Sequence, residues 1–260
     1  MNPFVFLLIL LSSATTFAQA LSDTALRKIA FDENLGASIS LDTPFRDEQG
    51  KSVRLGDYFG KRPEILVLGY YRCPMLCTLV LNGLTSALQD IKPQMGHDYD
   101  VVDVSIDPHE TFTLAAAKKK SYATRFGRPG VELGWHFLTG DEKAIRKLAA
   151  EVGFNYAYDP GSGQYAHPSG LIILAPSGKI SHYLSGVVFS DADLSRALSD
   201  AVDAKVGSPI EQIFLLCFHY SPLTGKYSAT VLGVVRATAV VVLLLLAAVI
   251  TGAWRLKRAG

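Results

Sequence analysis

Apolar positions along this chain come as unbroken runs in some places and as periods in others, and the two kinds alternate. "EILVLGYY", Glu64 to Tyr71, is a continuous apolar run with β-branched and aromatic members, the pattern of a strand buried on both faces. From Met75 onward Leu76, Leu79, Val80, Gly83, Leu84, Ala87, Leu88 and Ile91 recur at steps of three and four before Pro93. That spacing predicts an amphipathic helix and its end. Pro74 suits the first helical position, where a missing N–H costs nothing. A strand over Tyr99 to Asp107, a helix from about Thr111 to Phe126, the strand "WHFLT" and the helix "DEKAIRKLAAEVG", capped by Asp141, follow in turn. "LIILAPSGKISHYLSGV" predicts a hairpin turning on Pro176-Ser177-Gly178, and a last helix opens on a Ser190/Asp193 capping pattern. Upstream, Asp47 to Gly50 joins two short strand-like runs as an edge hairpin. The expectation is an α/β fold: a mixed sheet with flanking helices on both sides, uninterrupted by repeats or low-complexity linkers.

Two runs at the chain ends stand outside this alternation. "MNPFVFLLILLSSATTFAQA" has an apolar stretch from Phe4 to Leu11 and then Ala18-Gln19-Ala20, the small-x-small pattern of a cleaved signal peptide at 1–20. Ala237 to Trp254 is uncharged, with Arg236 before it and "RLKR" after it. It predicts a transmembrane helix, 231–254, with a cytoplasmic tail, 255–260. The excess of positive charge after the span places the C-terminus inside. The domain at 21–207 and a juxtamembrane segment at 208–230 are then extracytoplasmic, on the periplasmic face of the cell membrane.

Composition changes this picture little, but the cysteines change it a good deal. Charge is nearly balanced, 25 Lys+Arg against 24 Asp+Glu, with no basic stripe interleaved with aromatics, so nucleic acid is excluded as a partner. An oxidising compartment permits disulfides, yet the chain has three cysteines, Cys73, Cys77 and Cys217. Cys73 and Cys77 fall where the first long strand gives way to its helix, at an exposed junction. A cysteine pair there is the thioredoxin-like arrangement. One helical turn apart, the two sulfurs serve as a redox-active pair that closes to a disulfide, as a structural bridge, or as metal ligands. Three intervening residues, in place of the usual two, favour a chelate. Of the six histidines, His167 in "YAHPSGLIILAP" lies just before the strand that opens the terminal hairpin, across from the cysteine-bearing helix in such a sheet. Two thiolates and an imidazole select copper(I), or zinc, over hard cations. Cys217 and His219, beside aromatics near the membrane, fit an interfacial amphipathic segment or an auxiliary thiol or copper site.

"CPMLC", the "SIDP" that ends the second strand, "FLTG" and a histidine before the last hairpin together resemble the Sco/SenC family. Its members are thioredoxin-like copper chaperones and thiol oxidoreductases tied to cytochrome c oxidase assembly. The likeness spans roughly Phe45 to Ala204. It implies that Cys73, Cys77 and His167 carry copper, and it matches Asp107 to the family's acidic residue near the site. It implies as partners the copper-centre subunit of the oxidase or another copper chaperone. The chain has Ala166 and Pro168 around its histidine where the family has Asp and Ser or Thr, and "HET" after Asp107-Pro108 where the family shows an Arg-Asp-Thr run. A His167–Pro168 bond in the cis form, as in the corresponding thioredoxin loop, would fix the imidazole's approach.

Overall fold

The computed structural model describes residues 29–206 together with the strand residues 220–221 and 226–227. The expected signal peptide, transmembrane helix and cytoplasmic tail, and Cys217 and His219, lie outside the described residues. No described helix is long and apolar enough to cross a membrane. The chain divides into two units, 1–207 and 208–260. Of the second, the described part is an antiparallel pair of two-residue strands, Tyr220–Ser221 and Lys226–Tyr227.

In the first unit the continuous apolar runs become the centre of a sheet. β1 (Pro44–Arg46) and β2 (Ser52–Arg54) form the edge hairpin expected at Asp47–Gly50. β3 (Glu64–Gly69) leads to α1 (Leu76–Asp90), β4 (Asp100–Ser105) to α2 (Phe112–Phe126), and a short turn of helix, α3 (Val131–Gly134), to β5 (Trp135–Leu138). Then come α4 (Glu142–Glu151), a small hairpin of β6 (Ala157–Asp159) and β7 (Gln164–Ala166), the hairpin of β8 (Gly170–Leu174) and β9 (Ile180–Ser185), and α5 (Asp191–Val202). The sheet runs β5-β4-β3-β8-β9, with β3, β4 and β5 parallel and β8 and β9 antiparallel.

Every residue of β3, β4 and β8 is buried. Alternate residues feed two cores, because successive side chains in a strand point to opposite faces. Ile65 and Val67 join Leu84 and Leu88 of α1, Phe126 of α2 and Leu198 of α5. Leu66 and Leu68 join Leu55, Phe59, Ile145 of α4 and Phe154. The caps read from the sequence are made: Asp141 accepts from the Ala144 N–H at 2.7 Å, and Ser190 from the Asp193 N–H at 3.4 Å.

Pro74 is not at the first helical position. Met75 has φ −143° and ψ −77°, which is not helical, so α1 begins at Leu76, past the proline. What holds its first turn is a sulfur in place of a hydroxyl cap: the Cys77 N–H donates to Cys73 Sγ at 3.4 Å.

Candidate metal centre

β3 ends at Gly69, and the chain must turn within three residues to present Cys73. The Cys73 N–H closes that turn on the Tyr70 carbonyl at 3.1 Å. Glu110, buried beyond the end of β4, clamps it from outside: its carboxylate accepts from the Tyr71 and Arg72 N–H groups, both at 2.7 Å, and from the Ser105 hydroxyl at 2.6 Å. Cys77, in the first turn of α1, then packs onto Gly69. A Cβ at Gly69 would stand 3.2 Å from Cys77 Sγ, so a side chain there would push Cys77 aside by a few tenths of an ångström.

His167 arrives on the chain that leaves β7. Its Nε2 lies 2.9 Å from Cys77 Sγ. Its Nδ1 is 2.8 Å from the Pro168 carbonyl. A carbonyl only accepts, so Nδ1 carries the proton and the Nε2 lone pair faces the sulfurs. The ring stacks on Phe154, with centroids 5.8 Å apart, and meets Tyr70 edge-on at 6.0 Å. The ligand atoms of Cys73, Cys77 and His167 all lie within 4.8 Å of one another. None of the described peptide bonds is cis. The expected cis bond at His167–Pro168 is therefore replaced by a trans bond, and the imidazole is oriented by the Pro168 carbonyl and the Phe154 ring.

The junction is also not exposed. Cys73, Cys77 and His167 are 8%, 7% and 4% exposed. Burial comes from the β6–β7 hairpin, whose Tyr165 meets Tyr70 at 5.5 Å over the site. This hairpin was not read from the sequence, although Asp159-Pro160-Gly161 is a turn signal. Two carboxylates were missed as well. Glu110 sits in the "HET" stretch, and Asp103 is buried inside an apolar strand. A charge in such a run was the signal for Asp103.

The two sulfurs differ in protonation. The Cys77 thiol donates to Cys73, and that hydrogen bond, helped by the N–H groups of Cys77 and Met75, holds the Cys73 thiol far below its ordinary range in spite of burial. Cys77 is pushed up, first by the same bond and then by burial. The pair is thus one thiolate and one thiol.

Asp107 is not among the clustered ligand atoms. Its carboxylate accepts from the His109 N–H at 2.9 Å and lies 3.0 Å from His109 Nδ1, and its charge acts on Tyr165. His97 pairs with Asp98, and the His136 ring packs at a tilt against Tyr58, with centroids 4.2 Å apart. Two thiolate sulfurs and one imidazole, without a carboxylate in the set, fit a soft monovalent ion such as copper(I). Three donors leave a coordination position that a structural zinc site would fill.

The sequence model of one family, SCO1/SenC, matches residues 33–203. Comparison with curated proteins finds no significant match. Three solved structures are similar. A candidate electron-transfer protein of Aquifex aeolicus VF5 has 22% identity and a TM-score of 0.59, over 68% of this chain and 98% of that one. BsSco has 20% identity and a TM-score of 0.52, over 66% and 98%; it is described as a member of the Sco family of cytochrome c oxidase assembly proteins with a disulfide switch. Arabidopsis thaliana ScoI with copper bound has 21% identity and a TM-score of 0.50, over 64% and 99%. At these identities the structural likeness carries the thioredoxin-like fold.

Proposed function

The chain belongs to the SCO1/SenC family, and from that premise we propose that it binds copper(I) through Cys73, Cys77 and His167 and delivers it to the copper centre of a respiratory cytochrome c oxidase during assembly. The donor set carries this reading: two sulfurs and an Nε2 lone pair within 4.8 Å, and no hard ligand among them. Copper bound to the Arabidopsis relative and the assembly role named for BsSco are in keeping with it. The ion is cargo. Cys73, already thiolate, receives it; Cys77 gives up its proton to become the second ligand; His167, held by the Pro168 carbonyl, offers Nε2 without reorienting. A fourth position stays available to a partner's ligand, which is what transfer requires. Asp107 acts from outside the ligand set, through the hairpin that covers it.

We place the domain outside the cytoplasm on a single C-terminal span at 231–254, following the charge pattern around it. Protease added to spheroplasts should digest the domain and leave a C-terminal tag protected. Digestion of the tag would reverse that topology.

Full-length protein purified in detergent should hold one equivalent of copper(I) when reduced and none when its cysteines are oxidised. Absence of copper in both states would sink the chaperone reading.

A second reading rests on a separate observation, the unequal pair. A thiolate at Cys73 with a thiol held beside it at Cys77 is the arrangement for thiol–disulfide exchange, in which the first sulfur attacks and the second resolves. Keeping a partner's cysteines reduced is the corresponding activity. Turnover of a peptide disulfide in the absence of copper tests it.

A further inference from the structure

A narrow cavity beside Cys77 is lined by Gly69, Tyr71, Asp103 and Lys118 as well. The strand register accounts for this. Asp103 of β4 is paired with Val67 of β3, two residues before the Gly69 on which Cys77 packs. Its neighbours Val101, Val102 and Val104 are the residues such a strand calls for, and a carboxyl among them is costly unless something polar meets it. Asp103 is 2% exposed, and its Oδ2 has no hydrogen-bond partner among the described residues.

The polar groups around it are committed elsewhere. The Tyr71 hydroxyl points to the main-chain carbonyls of Asp103 and Leu138, at 3.0 and 2.8 Å. Glu110 is held by the turn before Cys73, and the Tyr122 hydroxyl turns to Asn82 at 3.4 Å. Lys118 of α2, half-buried, lines the same cavity and supplies the opposite charge.

We propose that Asp103 is the proton acceptor of Cys77, reached through a water in this cavity, when Cys77 closes on a mixed disulfide at Cys73. This rests on the thiol-exchange reading of the same pair. The co-reactant is a disulfide, of a partner protein or of low molecular mass. The Cys73 thiolate first takes one of its sulfurs and releases the other as a thiolate. Cys77 sulfur then bonds to Cys73 sulfur; the bond from Cys73 to the partner sulfur breaks and leaves with its electron pair. The Cys77 proton passes to the Asp103 carboxylate. Two electrons go to the partner in all, and the proton leaves past Lys118. In the reducing direction Asp103 returns it. Burial, reinforced by Glu110 and opposed by Lys118, lifts Asp103 to about 8, so both of its protonation states are within reach near neutral pH, where a general acid–base group is most effective.

The test uses reduced, copper-free full-length protein in detergent, mixed with glutathione disulfide. Acid quenching and mass spectrometry then follow the mixed disulfide at Cys73 and the closed Cys73–Cys77 bond from pH 6 to 9.5. Asp103→Asn should slow closure roughly 10- to 100-fold near pH 7, let the mixed disulfide accumulate, and remove one step from the pH profile, while still binding one copper(I). Asp103→Glu should restore part of the rate. Lys118→Met, a change at a half-buried position that keeps the carboxyl, should move the step to higher pH, and it serves where Asp103→Asn does not fold. Closure in Asp103→Asn at the wild-type rate and pH profile, or an unmoved step in Lys118→Met, overturns the inference and leaves the thiol reading standing. A wild-type protein that never closes overturns both.

Discussion

A proline carbonyl decides which nitrogen of His167 faces the sulfurs. With Nδ1–H spent on Pro168, at 2.8 Å, the Nε2 lone pair is presented before any ion arrives. Replacing His167 with alanine should weaken copper(I) binding by at least about 100-fold in a chelator competition while leaving the cysteines able to close, since ligand loss costs no less than loss of a supporting partner. Cys77→Ser should abolish both. Tight copper binding by His167→Ala would remove the imidazole from the ligand set. Gly69 matters for a different reason, the room it leaves for Cys77 Sγ. Gly69→Ala should cost about 1–3 kcal/mol through overpacking and displace Cys77, read as a lower urea midpoint together with weaker copper binding. The clustering residues were legible as candidate ligands because Cys and His are conspicuous beside apolar runs. Their burial was not, because it depends on Tyr165 and Phe154, aromatics whose direction only the folded chain decides.

One clamp joins the ends of β3 and β4 and the turn that presents Cys73. Glu110, itself buried, satisfies two main-chain N–H groups and a serine hydroxyl, and removing an acceptor from buried donors costs more than the bond was worth. Glu110→Ala should therefore lower stability by about 2–4 kcal/mol in denaturant titration and loosen the thiol pair, so that Cys73 reacts with an alkylating reagent at a pH-dependent rate nearer that of a free cysteine. Glu110→Gln, which keeps an acceptor, should lose less. An unchanged midpoint in Glu110→Ala would make the clamp incidental. The strands and helices themselves were readable where a period or apolar run was long enough to stand out: β3, β4, α1, α2, α4 and the β8–β9 hairpin. The β6–β7 hairpin was not, since its three-residue strands are too short to show alternation. The start of α1 was misread for a related reason: proline is permitted at a first helical turn but does not require one, and the non-helical Met75 backbone delays the helix to Leu76.

Across the first unit, β3 has the candidate metal centre beyond its last residue and a buried acid at its first. Glu64 is fully buried, beside Asp100 in the parallel register, and neither of its carboxylate oxygens has a hydrogen-bond partner among the described residues. Burial, then the charge of Asp100, lift it from 4.5 to about 10, with Arg62 opposing. An acid raised in the folded state keeps a proton that the unfolded chain has already released. Between its ordinary value and about 10 the native state binds more protons than the unfolded one, so this group's share of stability is present at low pH and is lost as pH rises through that window. The slope from one such group is at most about 1.4 kcal/mol per pH unit. Urea unfolding of reduced, copper-free protein from pH 5 to 9 should therefore show Glu64→Gln gaining on the wild type steadily as pH rises, because the amide keeps the shape and cannot ionise. Taking the difference between the two proteins at each pH cancels the titration of Cys73, Cys77 and Asp103, which both share. A difference that stays flat over that range would mean that Glu64 ionises in the folded state and that the closed end of the sheet admits water or a counter-ion to meet it.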